Sequence, residues 1–264
     1  MSRIGSKFDE LKKLNKKALI TYVTAGDPTI ETTIRLVHEM ERRGADIVEL
    51  GIPFSDPVAE GPVIQAASER ALKNKIRIAD VFSAVKEIRK NSSVPIVFLL
   101  YYNCIFKYGA ERFLEGCTDA GVDGLIIPDL PFEEKDEIDA LVSRYPVDLI
   151  SMVAPTSKDR LEQVAKDAKG FLYCVSSLGV TGVRSSFNTD FTEMFKEIGK
   201  YSRIPSAIGF GISTPDHIRN LKGYCDGLIV GSAVVKQIER SSSPDEAVKN
   251  VGDYVESLRA AMDE

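Results

Sequence analysis

Residues 47–52 read Ile-Val-Glu-Leu-Gly-Ile and lead into Pro-Phe-Ser-Asp-Pro at 53–57. The run is short, bounded by proline, and apolar or glycine at every position but Glu49. A strand buried on both faces produces this kind of run, because helices cover both sides and the alternation of a half-exposed strand disappears. Seven further runs share its character: Ala18–Val23, Pro95–Tyr101, Gly124–Ile127, Val147–Val153, Gly170–Val175, Ser206–Gly209 and Gly227–Val230. Amphipathic stretches with start signals fill the gaps. Asp27-Pro28 reads as N-cap and first position of a helix carrying Ile30, Ile34 and Val37, and Thr214-Pro215 repeats the signal. Ser243-Pro244-Asp245-Glu246 is a capping box ahead of Val248, Val251, Val255 and Leu258. The gap after residue 52 holds two helices, near 62–74 and 78–90, and residues 3–15 form an extra helix able to plug a barrel floor. Eight strand–helix units in 264 residues predict one (β/α)8 TIM barrel domain over 1–264, with an extra N-terminal helix. A doubly wound open sheet is the competitor, but no G-x-G-x-x-G follows the first strand.

Composition narrows the function classes. Lys and Arg number 34 against 39 Asp and Glu, a formal charge of −5, so neither nucleic acid nor an anionic membrane is expected as a partner. No stretch approaches the ~18 apolar residues of a membrane span. The charged start, MSRIGSKFDELKK, is unlike a secretion signal. Cys104, Cys117, Cys174 and Cys225 form no C-x-x-C pair and read as reduced thiols, which predicts a cytoplasmic location or an equivalent reducing compartment such as a plastid stroma.

In such barrels the chemistry collects where strands run into the following loops. Gly209-Phe210-Gly211 and Gly231-Ser232 follow the last two runs. Their glycines let backbone N–H groups approach an anion, and Ser232 opens a short helix, so phosphate is the expected ligand class. Glu49 is a carboxylate inside an apolar strand, costly to ionise there, and is expected to be an acid/base group of raised pKa. Its alternative is an outward-facing side chain paired with a helix Lys or Arg. Glu60 and Asp56 lie in the next loop, near enough to make a two-carboxylate site or to be solvated charges. With two histidines, His38 and His217, both read into helices, and no lysine in any strand, neither a metal-dependent nor a Schiff-base aldolase fits. Metal-free acid/base chemistry on a phosphorylated substrate is what the residues leave. The Gly-punctuated loop Ser176–Asn188 is long enough to act as a lid.

Taken together, Tyr22–Pro28, Glu49–Pro57, Gly61–Gln65, Leu178–Gly182, Gly209–Ser213 and Gly231–Ala233 resemble the tryptophan synthase α subunit, from about residue 18 to the C-terminus. The resemblance implies retro-aldol cleavage of indole-3-glycerol phosphate to indole and glyceraldehyde 3-phosphate. It implies Glu49 as principal acid/base and Glu60 as the carboxylate that polarises the indole N–H. Tyr22, Ile64, Leu99, Tyr101 and Phe210 fall at its indole-pocket positions, with Asp129 and Tyr173 at neighbouring polar ones. Gly182, Gly211, Gly231 and Ser232 match phosphate-binding positions, and Thr181 a lid threonine. No cofactor is implied in this chain. Pyridoxal phosphate is expected in a β-subunit partner, within an α2β2 complex that receives indole through a tunnel. The β-facing surface would comprise Pro53–Gly61, Asn103–Ile105 and Ser176–Asn188. Two departures stand out: Glu60 where the family has Asp, and Cys104 where many relatives have Pro. A catalytically weak subunit that mainly activates β, and a stand-alone indole-releasing lyase, stay open as alternatives.

Overall fold

The first two strands are buried at every residue: β1 (Ala18–Thr24) and β2 (Ile47–Gly51). In the computed structural model, which describes residues 2–154, 160–175, 191–209 and 211–264, helix α1 (Arg3–Lys13) precedes them and α2 (Ile30–Arg42) joins them. The chain continues through α3 (Pro62–Lys73), α4 (Ile78–Arg89), β3 (Ile96–Leu99), α5 (Tyr102–Tyr108), α6 (Ala110–Ala120) and β4 (Gly124–Ile126). Next come α7 (Asp136–Val142), β5 (Asp148–Leu149), β6 (Met152–Val153), α8 (Leu161–Asp167), β7 (Leu172–Val175) and α9 (Phe191–Tyr201). The last elements are β8 (Ser206–Gly209), α10 (Pro215–Leu221), β9 (Gly227–Val230), α11 (Ser232–Glu239) and α12 (Pro244–Asp263).

All strand pairs are parallel, in the order β5-β4-β3-β2-β1-β9-β8-β7-β6. Here the sequence reading needs one correction. Val147–Val153 is not one strand but two short ones, β5 on β4 and β6 on β7. The chain changes neighbours between them: the Ile150 N–H donates to the Leu125 carbonyl (2.9 Å), and the Tyr173 N–H to the Ser151 carbonyl (3.0 Å). That change of neighbour closes the ring, giving nine segments at eight barrel positions.

Side chains alternate across the barrel wall even though the sequence does not show it. Ile47 joins Ile20, Val97, Ile126, Phe171 and Ile229 inside, whereas Val48 and Leu50 face the surrounding helices. Helix α1 fills the floor as expected, with Ile4, Phe8 and Leu11 buried in the interior cluster. Arg3 pairs with Asp123 (2.8 Å), and the Ser2 hydroxyl donates to Asp148 (2.6 Å). Three aspartates just before strands stitch the same end. Asp46 accepts the Leu19 N–H, Asp123 the Ile96 N–H, and Asp226 the Ser206 N–H. Ser243 and Thr214 cap α12 and α10 as their sequence signals predict. Asp27 does not cap α2. Thr29 does, accepting from the Thr32 N–H, because both oxygens of the buried Asp27 carboxylate are taken by the Arg70 guanidinium (2.8 Å each). Among the described residues no helix is long and apolar enough to cross a membrane.

Candidate active site

Glu49 is the third residue of β2, in register with Tyr22 on one side and Val97 on the other. Strand alternation turns it inward with Ile47. The outward, ion-paired alternative is excluded by its surroundings: Glu49 is 1% exposed, and its Oε1 has no hydrogen-bond partner among the described residues. Burial pushes its carboxyl up to about 8. The group therefore holds its proton at neutral pH, in a place where water cannot solvate the anion.

Glu60 lies on the loop between β2 and α3, just before Gly61 and Pro62 begin the helix. The Tyr101 hydroxyl organises this loop. It accepts from the N–H groups of Val58 (3.0 Å) and Ala59 (2.9 Å) and donates to Glu60 Oε2 (2.5 Å). Gln65 Nε2 donates to the Glu60 carbonyl (2.8 Å), and the Phe54 ring lies 5.0 Å from that of Tyr101. Burial raises the Glu60 carboxyl above its usual range. The Tyr101 hydrogen bond pulls the other way, and nearby Asp129 adds to the rise. The Glu60 carboxylate thus meets the Tyr101 hydroxyl directly.

Both carboxylates line one cleft at the end of the barrel opposite α1. Of the residues singled out from sequence, Tyr22, Glu49, Glu60, Ile64, Leu99, Tyr173, Gly211, Gly231 and Ser232 line it. Tyr101 stands behind Glu60, 2% exposed. Asp129 faces a neighbouring groove beside Asn103 and Phe106, where its carboxylate accepts the Tyr102 N–H (2.9 Å) at the start of α5. Thr181, Gly182, Phe210 and the expected lid Ser176–Asn188 lie outside the described residues. Ile212 and Ile229 also line the cleft and were missed, although the inward alternation of β9 marks Ile229.

Two glycines shape the walls: Gly51, missed as a site residue, and Gly209, expected only as part of the anion loop. A Cβ at Gly51 would sit 2.0 Å from the Tyr22 hydroxyl, and one at Gly209 would sit 2.3 Å from that of Tyr173. These strand ends must be glycine for the tyrosines to lie flat against the barrel. The Tyr22 ring begins beside Gly231, and its hydroxyl reaches Gly51 and the Thr24 hydroxyl (3.2 Å).

The far end is built of backbone. Gly211 has φ +83°, in the left-handed region that favours glycine. Gly231 precedes α11, whose first turn carries no acidic residue. First-turn N–H groups have no carbonyl to bond within the helix, and with the helix dipole they favour an anion. The cleft thus offers a protonated buried carboxyl, an ionisable second carboxylate, apolar walls for a flat ring and an anion cradle. Among the described residues no cluster of His, Cys, Asp and Glu could hold a metal.

Comparisons with known proteins give the family. The family model described as tryptophan synthase alpha chain matches residues 8–263. The tryptophan synthase alpha chain of Alkaliphilus metalliredigens is 51% identical over 258 residues, 98% of this chain and 97% of the relative. That of Caldanaerobacter subterraneus is 51% identical over 262 residues, 99% and 100% of the two chains. Among solved structures, the tryptophan synthase alpha chain of Legionella pneumophila superposes with a TM-score of 0.91 at 36% identity, covering 100% of this chain and 98% of its own. A chain from the tryptophan synthase a2b2 complex of Pyrococcus furiosus, described in terms of mutual activation, superposes at 0.85 with 36% identity, covering 93% and 99%. Matched from floor helix to final helix, with both carboxylates in one cleft, this chain belongs to the tryptophan synthase alpha chain family.

Proposed function

We propose that Glu49 and Glu60 carry out in this chain the reaction of its family, the retro-aldol cleavage of indole-3-glycerol phosphate. Protonated Glu49 gives its proton to the indole carbon that bears the glyceryl chain, and the ring becomes an electron sink. Glu60, as carboxylate, accepts the indole N–H and stabilises the positive charge that develops there. The Glu49 carboxylate then takes the proton of the adjacent glyceryl hydroxyl as the carbon–carbon bond breaks. Its electron pair returns to the ring, indole leaves, and the hydroxyl carbon becomes the aldehyde of glyceraldehyde 3-phosphate. Glu49 ends as it began, protonated, so one group closes the proton cycle.

The observation that carries this reading is the burial of Glu49, with one oxygen unpartnered among the described residues and a carboxyl raised to about 8, in the same cleft as Glu60. A carboxyl neutral at pH 7 is the form that can protonate carbon. Tyr22, Ile64 and Leu99 would hold the indole ring, with Tyr173 beside it and Phe210 completing the pocket; Tyr101 would support Glu60 from behind, and Asp129, in the neighbouring groove, would only anchor the start of α5. Gly211, Gly231 and Ser232, with Gly182, would hold the phosphate, and Thr181 would close the lid. Replacing Glu49 by Gln keeps the size and removes the proton. Turnover should fall about 10²–10⁴-fold with ligand affinity retained, and near-normal turnover would remove Glu49 from the mechanism.

The likeness to a chain of an a2b2 complex extends the proposal to a partner. The partner is a β subunit that carries pyridoxal phosphate and consumes the indole released here, in the cytoplasm or an equivalent reducing compartment. Val58 lies in the expected Pro53–Gly61 segment, and Phe106, in helix α5, directly follows the expected Asn103–Ile105 segment; each is 73% exposed.

A further inference from the structure

Ser213 lies two residues beyond Gly211, and both of its main-chain polar groups are held by side chains of other elements. Its N–H donates to Nδ1 of His217 in α10 (3.3 Å), and its carbonyl accepts the Tyr254 hydroxyl from α12 (2.8 Å). These two bonds fix different peptide planes, the one joining Ile212 to Ser213 and the one joining Ser213 to Thr214. Thr214 is itself anchored, its side chain accepting the His217 N–H (3.2 Å) as the cap of α10. Tyr254 is half-buried, and burial keeps its phenol neutral by raising it well above its usual range. Gly211 and Ile212 line the cleft, whereas Tyr254 and His217 do not.

An anion cradle made of backbone N–H groups binds tightly only if its loop is held in one conformation before the anion arrives. Gly211, at φ +83°, gives the loop freedom that must be removed from its far side. We infer that Tyr254, assisted by His217, is a positioning residue for the ligand phosphate, acting through the Ser213 backbone to hold the Gly211–Ile212 segment against the cleft. The final helix of the chain thereby takes part in substrate binding without touching substrate. The inference rests on the reading of this loop as a phosphate site.

The test is Tyr254→Phe, which keeps the packed ring and removes only the donor. Dissociation constants of the full chain are measured for inorganic phosphate, glyceraldehyde 3-phosphate and indole, with Gly211→Asp and His217→Ala in parallel. Tyr254→Phe should weaken both phosphate ligands roughly 3- to 10-fold, the cost of one hydrogen bond, and change indole by less than about twofold. For indole-3-glycerol phosphate cleavage, KM should rise more than kcat falls. Equal losses for indole and the phosphates would mean a merely structural tyrosine and overturn the inference, as would no loss at all. If Tyr254→Phe lowers the Tm too far to assay, His217→Ala must show the same phosphate-selective loss or the inference fails. If wild type binds no phosphate and Gly211→Asp leaves glyceraldehyde 3-phosphate affinity intact, the phosphate reading falls and takes the inference with it. A loss on Gly211→Asp with none on Tyr254→Phe overturns the positioning role alone.

Discussion

A buried carboxyl oxygen with no partner is unusual in a protein core, where most buried polar atoms are satisfied. Among the described residues Oε1 of Glu49 is such an atom, and the titration of the group follows from its place. In the folded chain it keeps its proton to about pH 8, against an ordinary value of 4.5. Between those values the folded state binds one more proton than the unfolded state, so this group's contribution to stability is full below pH 4.5 and is lost as pH rises through about 8. The slope is at most about 1.4 kcal/mol per pH unit. Chemical denaturation of wild type and Glu49→Gln at pH 5.5 and 7.5 should show wild type losing ground to the variant at the higher pH. Parallel curves would mean that Glu49 is ionised when folded. Glu60 makes a different prediction, because its carboxylate is held by Tyr101 and needs its charge. Glu60→Ala should cost far more turnover than Glu60→Asp, since the indole N–H loses its acceptor in a desolvated pocket. Glu60→Asp keeps the charge and trades the Tyr101 contact for a shorter reach. Lyase assays of the three forms with β present decide it, and equal rates would retire Glu60.

Among the elements, α1 and the split fifth strand show how the barrel is finished at its two weak points. Strand β5 and strand β6 are each two residues long, and the ring closes through Ile150 and Ser151 between them. The floor is closed by α1, whose Phe8 ring lies 5.9 Å from that of Phe171. Phe8 is 4% exposed, so Phe8→Ala should cost about 3–5 kcal/mol of stability, the range for a buried aromatic cut to alanine. Because the cleft is at the opposite end, KM for indole-3-glycerol phosphate should stay near the wild-type value. A denaturant titration paired with a KM measurement checks both halves. A shift in KM would mean that the floor and the cleft are coupled.

For the molecule as a whole, the expected assembly places the cleft, Val58 and Phe106 on one end of the barrel, facing β. Sedimentation of this chain with a β subunit should give a complex larger than either component, and Phe106→Asp should weaken it while leaving the isolated chain folded. Persistence of separate species, even with ligands on both subunits, would make the stand-alone lyase the better reading.

The sequence by itself determined the barrel, because buried parallel strands leave short apolar runs and capped helices leave their residues at fixed offsets. It also marked Glu49, since a charge inside such a run is conspicuous, and the glycines of the last two loops. It could not divide Val147–Val153 into two strands, because an apolar run is silent about which neighbour each residue bonds. It assigned Asp27 to a cap because local spacing does not reveal that Arg70, from a different helix, claims the carboxylate. Gly51 reads as an ordinary strand-end glycine, and Gly209 only as part of an anion loop, until Tyr22 and Tyr173 are laid across them. Tyr101 behind Glu60, and Tyr254 behind Ser213, are likewise long-range contacts. Periodicity records the face a residue turns toward the core; which distant side chain meets it there is decided only when the chain closes on itself.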